Sequence, residues 1–210
     1  MKKINLTFIL VVLLLAGRTT FGYAQDTVTI GTQTWMKKNL DVSKYRNGDV
    51  IPEVTDPSAW RNLTTGAWCY YENKTDNGST YGKLYNWYAV TDPRGLAPVG
   101  WHIPTDAEWT SLESFLRGSF AGGAMKETGT THWISPNTDA TNSSGWTGLP
   151  GGSRSFVGPF EGLGEVGYWW SSSASNNYKA LRRGLDYGFS NLQTNSNDKT
   201  YGFSVRCVRD

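Results

Sequence analysis

Histidine and cysteine, which carry much of enzyme chemistry, are scarce in this chain. Its 210 residues include two histidines, His102 and His132, and two cysteines, Cys69 and Cys207. No His-Glu-x-x-His zinc motif occurs, and no Ser or Cys pattern near either histidine offers a nucleophile. We therefore expect His102 to be structural, His132 to be a loop residue and the protein not to be an enzyme.

Charged residues are also few, at 18%, whereas aromatic residues reach 14% and include 10 Trp and 11 Tyr. The low charge argues against a Lys- and Glu-rich helical bundle, and the many aromatics exclude a disordered chain. Large rings bury much apolar surface per residue. The chain can therefore form a core despite its 24 glycines.

The most apolar run lies near the beginning of the chain. A basic start and an apolar stretch at 4–17 are followed by small residues at Gly22 and Ala24. This order is typical of a secretory signal peptide, and the run is shorter than the ~20 residues of a membrane span. We predict a signal peptide at 1–24, a single domain at 25–210 and an exported protein. An uncleaved N-terminal anchor is the alternative.

Removal of this leader would change the charge of the chain. The leader carries three basic residues and no acidic ones, so the formal net charge would fall from +2 to −1. A nearly neutral domain has no electrostatic attraction for nucleic acid. We expect no nucleic-acid partner, and no stable membrane span after cleavage.

The two cysteines form an even pair in a chain predicted to be exported. An oxidising compartment permits a disulfide, and closure of a long loop stabilises a fold by about 3–5 kcal/mol in the entropy model. The sequence favours a disulfide between Cys69 and Cys207. Two buried free thiols are the alternative.

Periodicity places the helices in the first half of the chain. The residues from Tyr81 to Tyr88 include a stripe of helical spacing, Thr105 and Glu108 form a capping box before a helix at 105–117, and a short helix follows at 122–127. Short strands are predicted at 28–30, 34–36, 68–71, 167–172, 180–185 and 203–208, the last half-buried. This order predicts an α+β fold with two to three short helices in the first half and a small, mainly antiparallel, twisted sheet with long loops.

Five motifs occur in order along the chain. They are GTQTWMKKNL at 31–40, YGKLYNWYAV at 81–90, GWHIPTDAEW at 100–109, YWWSS at 168–172 and GFSVRCVRD at 202–210. Together they resemble the Fibrobacter succinogenes major paralogous domain over residues 28–210. The resemblance implies a periplasmic, cell-surface or secreted protein of a Bacteroidetes-type bacterium.

The helix at 105–117 and the closing strand are more distantly similar to C-type-lectin-like folds, which include formylglycine-generating enzymes. This likeness implies a C-type-lectin-like fold. Formylglycine-generating enzymes need a pair of active-site cysteines near the C-terminal part of the fold, and this chain has only Cys207 there. The resemblance therefore does not extend to their oxidase chemistry.

A polar stretch at 173–200 is the candidate for ligand binding. It is rich in Tyr, Asn, Ser and Arg, which are common in paratopes and suit glycans. The residues that we select are Tyr178, Arg182, Asp186, Tyr187, Asn191 and Asn195. We predict a binding module that recognises a glycan or a surface protein through these loops. An ordinary soluble loop is the alternative.

Two tryptophans precede this stretch, and an arginine follows it. Trp169 and Trp170 would face opposite sides of a strand, so we expect one in the core and the other at the binding face. Arg206, near the end of the chain, is expected to be structural and to pair with carboxylates or carbonyl groups.

Calcium is the one cofactor that the sequence suggests. Asn137, Asp139 and Asn142 place hard oxygen ligands within six positions. Simple turn chemistry is the alternative for this loop. The run Gly-x-Gly-x-x-Gly at 162–167 matches a dinucleotide fingerprint by chance, because it precedes a predicted strand and not a helix.

Two other functions remain open from the sequence. The Trp-rich body would suit a structural or adhesive cell-surface subunit that packs against sister domains. A hydrolase or oxidase would have to use His102 with a carboxylate such as Glu108 or Asp106.

Overall fold

The structure is a computed structural model that describes residues 26–210. The predicted signal peptide at 1–24 lies outside these residues. None of the helices formed by residues 26–210 has the length and apolar character that a membrane span requires.

Short helices lie in the first part of the domain. Five α-helices occur within the described chain, namely α1 (Pro57–Arg61), α2 (Thr75–Tyr81), α3 (Trp87–Val90), α4 (Asp106–Phe115) and α5 (Ala121–Met125), together with two 3₁₀ helices, Tyr71–Asn73 and Gly118–Phe120. The predicted number of two to three was too low. The helices α1, α2 and α3 have only five, seven and four residues, which is too short for apolar periodicity to mark them.

The strands form three small sheets. They are β1 (Thr27–Ile30), β2 (Gln33–Met36), β3 (Trp68–Cys69), β4 (Leu84–Tyr85), β5 (Trp101–His102), β6 (Gly151–Arg154), β7 (Phe160–Leu163), β8 (Val166–Ala174), β9 (Lys179–Asp186), β10 (Gln193–Asp198) and β11 (Val208–Arg209). The sheet orders are β1-β2-β11-β5, β10-β9-β8-β6-β7 and β3-β4. Among these pairs, β6 and β8 run parallel and the others antiparallel. The predicted α+β class with mainly antiparallel pairing is confirmed.

The helix α4 begins where the sequence predicts it. Glu108 N donates a hydrogen bond to Thr105 Oγ1 at 3.3 Å, and Thr105 N donates to Glu108 Oε2 at 2.8 Å. The predicted capping box is therefore confirmed. The helix ends before the predicted 117, because Arg117 has a φ of 67° and a left-handed residue cannot continue a right-handed helix.

The predicted helix through Tyr81 and Tyr88 is interrupted by a strand. The helix α2 ends at Tyr81, where Gly82 takes a φ of 73°, and β4 follows. This strand pairs with β3, and Tyr85 N also donates to Phe203 O at 2.9 Å. The helical prediction was wrong because these tertiary pairings outweigh the local spacing.

The interior consists of three hydrophobic clusters. The tryptophan cluster contains the buried rings Trp35, Trp109, Trp133, Trp146 and Trp169. The second cluster contains Tyr85, Trp170, Phe203 and Cys207, and the third contains Trp60, Cys69 and Leu84. The aromatic residues therefore form the core, as the composition predicts.

The β3–β4 hairpin keeps the two cysteines apart. Trp68 and Tyr85 form one pair across the hairpin and belong to the second cluster with Cys207, whereas Cys69 and Leu84 form the next pair and belong to the third. Both thiols are free and buried, and burial raises the pKa of each to about 12. The predicted disulfide is wrong, because successive residues of a strand point to opposite faces and so into different clusters.

Trp169 and Trp170 face opposite sides of β8, as the sequence predicts. Trp169 belongs to the tryptophan cluster and Trp170 to the second cluster, and both rings are fully buried. The expectation that one of them lines a binding face is wrong. Both faces of β8 are covered, since Trp169 and Trp170 pack into different hydrophobic clusters on its two sides.

The closing segment 202–208 is buried throughout and not half-buried. Only Val208–Arg209 forms a strand there, and Gly202, Phe203 and Ser204 make single bridges to other strands. Val205 belongs to the second cluster, whereas the guanidinium of Arg206 lies 3.7 Å from the ring centroid of Trp146 in the tryptophan cluster. The half-buried prediction was wrong because this segment runs between two clusters.

Arg206 is a buried cation bound by neutral acceptors. Its Nη2 and Nε donate to Asn39 Oδ1 at 2.8 and 3.1 Å, and Nη1 donates to the Trp146 carbonyl. Asn39 Oδ1 also accepts a hydrogen bond from Trp169 Nε1 at 2.8 Å. The predicted structural role of Arg206 is confirmed, with carbonyl groups and an amide as its partners.

Replacement of Asn39 tests this arrangement. The Asn39→Ala variant leaves the Arg206 guanidinium and the Trp169 indole without a shared acceptor. We expect the free energy of unfolding to fall by ~2–4 kcal/mol, because a buried guanidinium and an indole N–H lose a hydrogen-bond acceptor. Urea unfolding measures the change. The exposed residue Asn191 is the control, and Asn191→Ala should change stability by less than ~0.5 kcal/mol. Equal stability of the two variants would contradict the assignment.

Candidate functional site

The six residues selected from the polar stretch do not form one surface. Tyr178 is exposed in the turn before β9, and Asn191 is exposed in the turn after it. The eight residues of β9 separate the two turns by ~25 Å, at ~3.4 Å per residue. Asn195 is exposed on β10, the edge strand of the five-stranded sheet. The stretch is mostly a β-hairpin, and the selected residues that it exposes lie at both ends of β9 and along the edge strand.

Arg182 is buried within this hairpin. Its guanidinium lies 4.1 Å from the ring centroid of Tyr168, and its Nε donates to Asn197 Oδ1 at 3.2 Å. Burial lowers the pKa of Arg182, and the nearby Tyr168 and Tyr201 oppose this shift. These contacts join β9 to its neighbours on both sides, so Arg182 has a packing role.

Asp186, Tyr187 and Asn191 lie at one end of β9, beside the predicted calcium loop. Thr138 N donates to Tyr187 O at 2.8 Å, and Gly123 N donates to Ser190 O at 2.8 Å. The first bond joins two loops that lie far apart in the sequence, and the second joins the later loop to α5. We call the two loops 136–143 and 187–192 the loop surface.

Lys126 fastens the loop surface to the end of α5. Its side chain is buried, and Nζ donates to the carbonyl oxygens of Thr138, Asp186 and Phe189 at 2.8, 3.0 and 2.8 Å. Burial lowers the pKa of Lys126 to about 8, and the carboxylates of Asp186 and Asp139 oppose this shift. One ammonium group thus binds carbonyl groups from both sides of the loop surface.

The predicted calcium ligands share a left-handed backbone conformation. Asn137, Asp139 and Asn142 have φ values of 45°, 55° and 49°, which Asn and Asp tolerate in turns. Asn137 Nδ2 donates to two backbone carbonyl groups, and the Asn142 amide bonds with Thr147. These contacts are turn chemistry, and calcium binding stays a prediction.

A cleft of about 420 Å³ borders the loop surface. The residues that line it come from α4, the following 3₁₀ helix, α5 and loop 136–143, and they are Phe115, Leu116, Arg117, Phe120, Ala124, Asp139, Thr141 and Ser143. Phe115 and Phe120 are 62% and 64% exposed, and Phe189 in the other loop is 58% exposed. Exposed rings beside carboxylate and hydroxyl groups form a surface that can bind a partly apolar ligand.

Phe115 also borders a second cleft of about 420 Å³. This cleft is lined by Ile30, Gly31, Thr32, Gln33, Ser111 and Phe115. A Cβ atom at Gly31 would lie 3.0 Å from Phe115 Cδ2, and Gly31 has a φ of 62°. A glycine at this position therefore lets the ring lie over the β1–β2 turn, between the two clefts.

Sequence reasoning missed the aromatic residues of this surface. Phe115 has the helical spacing of a core residue, but α4 buries only Trp109 and Leu112. Phe115 belongs to the last turn of α4, where the chain leaves the core. The one available signal was the placement of Phe120 and Phe189 among Gly, Ser and Asp residues, where no apolar periodicity explains them.

The family of the chain follows from a family model, the Fibrobacter succinogenes major domain, which matches residues 28–209. The chain belongs to this family. Comparison with curated proteins and with solved structures gives no match. The sequence resemblance is confirmed at the level of the family, and the structure brings four of the five motifs together at Asn39, which bonds to Tyr81, Trp169 and Arg206.

The family motif at 100–109 contains His102, which links three segments. His102 Nε2 lies 2.6 Å from Glu108 Oε1, and Nδ1 lies 2.7 Å from Asp210 Oδ1. Burial opposes protonation, but the hydrogen bonds to the two carboxylates outweigh it and raise the pKa of His102. Ser172 lines a cleft of about 300 Å³ beside His102, yet both ring nitrogens already have carboxylate partners. His102 thus joins the beginning of α4 to the end of the chain through two hydrogen bonds.

The remaining motifs are placed as follows. His132 Nδ1 lies 2.8 Å from Glu127 Oε2. The Gly-rich run at 162–167 covers the end of β7, a two-residue turn and the beginning of β8, so it enters a strand as predicted. Gly162 and Gly164 have φ values of 75° and 83°. Within residues 26–210, no group of three or more His, Cys, Asp and Glu side chains could hold a metal ion.

The contribution of Lys126 to the loop surface can be tested by Lys126→Met, which keeps the chain length and removes the donor. We expect the free energy of unfolding to fall by at least ~2 kcal/mol, because three carbonyl groups lose their donor. Hydrogen exchange should also become faster in 136–143 and 187–192. Lys179→Met, at the exposed beginning of β9, is the control.

The stability of the wild-type protein relative to Lys126→Met should change with pH in a known direction. The folded pKa of Lys126 is lowered from 10.5 to about 8, so the unfolded state binds more protons between these values. The wild-type protein therefore gains stability relative to Lys126→Met as the pH rises from about 8 to 10.5. If the difference in free energy of unfolding between the two proteins stayed constant across this pH range, the lowered pKa of Lys126 would be contradicted.

The stabilisation that His102 provides should depend on pH in the opposite direction. Its folded pKa is raised above 6.5, so its stabilisation is fully present below pH 6.5 and is lost as the pH rises through the folded pKa. Urea unfolding of wild type and His102→Gln should show the largest difference in acid and a smaller one in alkali. The Asp210→Asn variant removes one carboxylate, so the folded pKa of His102 should be raised less. The stabilisation by His102 should therefore be lost at a lower pH than in the wild type. An unchanged profile in both variants would refute the role of the carboxylates.

Proposed function

We propose that this chain is an exported, non-catalytic binding module with a C-type-lectin-like fold that recognises a glycan through its loop surface. The α+β order, with few helices and mainly antiparallel sheets, supports the fold proposal, and the apolar leader at 4–17 supports export. The observation that carries the ligand proposal is the pair of exposed rings, Phe115 and Phe120, in a cleft beside the loop surface.

The chemistry of this surface suits a sugar. The apolar face of a pyranose ring stacks on aromatic rings, and its hydroxyl groups require short polar side chains as donors and acceptors. Phe115 and Phe120 supply the rings, and Asp139, Thr141 and Ser143 supply carboxylate and hydroxyl groups in the same cleft. The two adjoining clefts would accommodate consecutive residues of an oligosaccharide on either side of Phe115.

Three of the residues selected from the sequence belong to this proposed binding face. Asp186, Tyr187 and Asn191 lie in or next to loop 187–192, which carries the exposed Phe189. Tyr178 lies at the other end of β9, and its ring is 77% exposed. We therefore assign Asp186, Tyr187 and Asn191 to the contact face and leave Tyr178 outside it.

A protein ligand is the second candidate, and the same rings favour it. Exposed apolar patches with polar rims also mark protein interfaces, and a structural or adhesive surface subunit would use such a patch to contact sister domains. The two candidates differ in the occupant of the cleft. Light scattering that detects self-association, abolished by Phe115→Ala, would favour the adhesive subunit over the glycan-binding module.

Substitution of the exposed rings tests the proposed function. We expect Phe115→Ala and Phe120→Ala each to weaken binding of the oligosaccharide selected on a glycan array by about fivefold or more, which corresponds to the loss of ~1 kcal/mol of aromatic stacking. Because both rings are exposed, the free energy of unfolding should change little. Isothermal titration calorimetry and urea unfolding measure the two quantities.

Tyr178→Ala is the matched control, since it removes an exposed ring from the opposite end of β9. It should leave the affinity unchanged. If Tyr178→Ala abolished binding while the two Phe variants retained it, the contact face would lie at the other end of the hairpin. If no glycan bound to the wild-type protein, the glycan proposal would fail.

A further inference from the structure

A smaller cavity lies on a different part of the molecule, between the segment after β2 and the end of α2. Its volume is about 260 Å³, and its polar lining includes Lys37, Lys38, Thr80, Thr147 and Arg206. This volume is just below the range of about 300–1,000 Å³ that is typical of ligand cavities, so it suits a small ligand such as a single sugar ring or amino acid. None of its residues belongs to the loop surface.

The charges around this cavity do not cancel. Its cations are Lys37, Lys38 and Arg206, and its carboxylates are Asp26 and Glu127. Asp26 pairs with Lys37 at 3.4 Å, and Glu127 pairs with His132 at 2.8 Å. The lining therefore carries a surplus of one positive charge, counted with neutral histidine.

Two of the three cations have no carboxylate partner. Arg206 forms hydrogen bonds only with an amide and backbone carbonyl groups within the described chain, and burial lowers its pKa to about 9. Lys38 is exposed and forms no ion pair with residues 26–210. A buried guanidinium without a counter-charge is unfavourable, and an anion in the cavity would relieve this cost.

We propose that this cavity binds the carboxylate of a small polar ligand, with the Lys38 ammonium as its direct partner and Arg206 as the fixed charge beneath it. The hydroxyl groups of Thr80 and Thr147, together with Ser79, line the same cavity and can bind hydroxyl or amide groups of the ligand. A single carboxylate matches the surplus of one positive charge. Two kinds of ligand could supply this carboxylate, namely an acidic sugar and the C-terminus of a peptide.

Nuclear magnetic resonance titration of the purified protein tests the proposal with three probes. Glucuronate is an acidic sugar, glucose is its neutral counterpart, and N-acetylalanine represents a peptide carboxylate. We expect saturable shifts of the Lys38 and Thr80 amides and of the Arg206 Nε–H group with at least one carboxylate, and none with glucose. Glucuronate alone would identify a sugar site, N-acetylalanine alone a peptide site, and both a carboxylate site without further selection.

The variant Lys38→Gln separates a specific site from general charge attraction. Removal of one unit charge close to the carboxylate should weaken binding by about fivefold or more, whereas Lys179→Gln should have no effect. Equal shifts with glucose and glucuronate, or equal affinity of Lys38→Gln and wild type, would overturn the proposal. The Phe115→Ala variant should retain carboxylate binding, so failure of either site leaves the other proposal standing.

Discussion

The fold depends on buried cations that bind backbone carbonyl groups. Arg206 is the central case, because it lies between the second cluster and the tryptophan cluster and shares Asn39 Oδ1 with Trp169. A buried guanidinium that lost these acceptors would carry a large desolvation penalty. Three segments that are far apart in the sequence, 31–40, 168–172 and 202–210, are therefore held in one arrangement by a single set of hydrogen bonds.

Buried cations also bind backbone carbonyl groups in the irregular segments of the chain. Arg154 is buried and donates to the carbonyl oxygens of Gly158, Val54 and Thr55 at 3.0, 2.6 and 2.8 Å. Lys126 binds two carbonyl groups of the loop surface and one at the end of β9. Loops cannot satisfy their carbonyl groups with regular ladders, and buried groups left without a donor are costly. A protein with few helices and many loops can bury these segments when long cationic side chains supply the donors. Of the six buried Lys and Arg side chains within residues 26–210, two, Lys83 and Arg183, pair with a carboxylate.

The sequence correctly predicted those features of the fold that depend mainly on neighbouring residues. The capping box at Thr105, the strands β8 and β9 and the opposite orientation of Trp169 and Trp170 depend on neighbouring residues alone, and all were predicted. The helix at 81–88 and the half-buried strand at 203–208 were predicted wrongly. There, Tyr85 pairs with Phe203, and the closing segment runs between two clusters, so distant residues decide the conformation. The disulfide prediction failed for the same reason. No local sequence pattern shows that Cys69 and Cys207 belong to different clusters, which lie on opposite faces of the β3–β4 hairpin.

The candidate site was only partly accessible from composition. A stretch rich in Arg, Asn and Tyr suits a binding surface, but in this fold the same residue types form the buried network, and Arg182 and Arg183 belong to it. Polar composition therefore cannot separate residues that face a ligand from residues that hold loops. Exposed aromatic rings are more informative here, because the core already uses the tryptophans, and Phe115, Phe120 and Phe189 gain nothing from remaining in water. Lys126 holds two loops beside these rings, so the position of the proposed contact face is determined by the buried network and not by the polar residues on its surface.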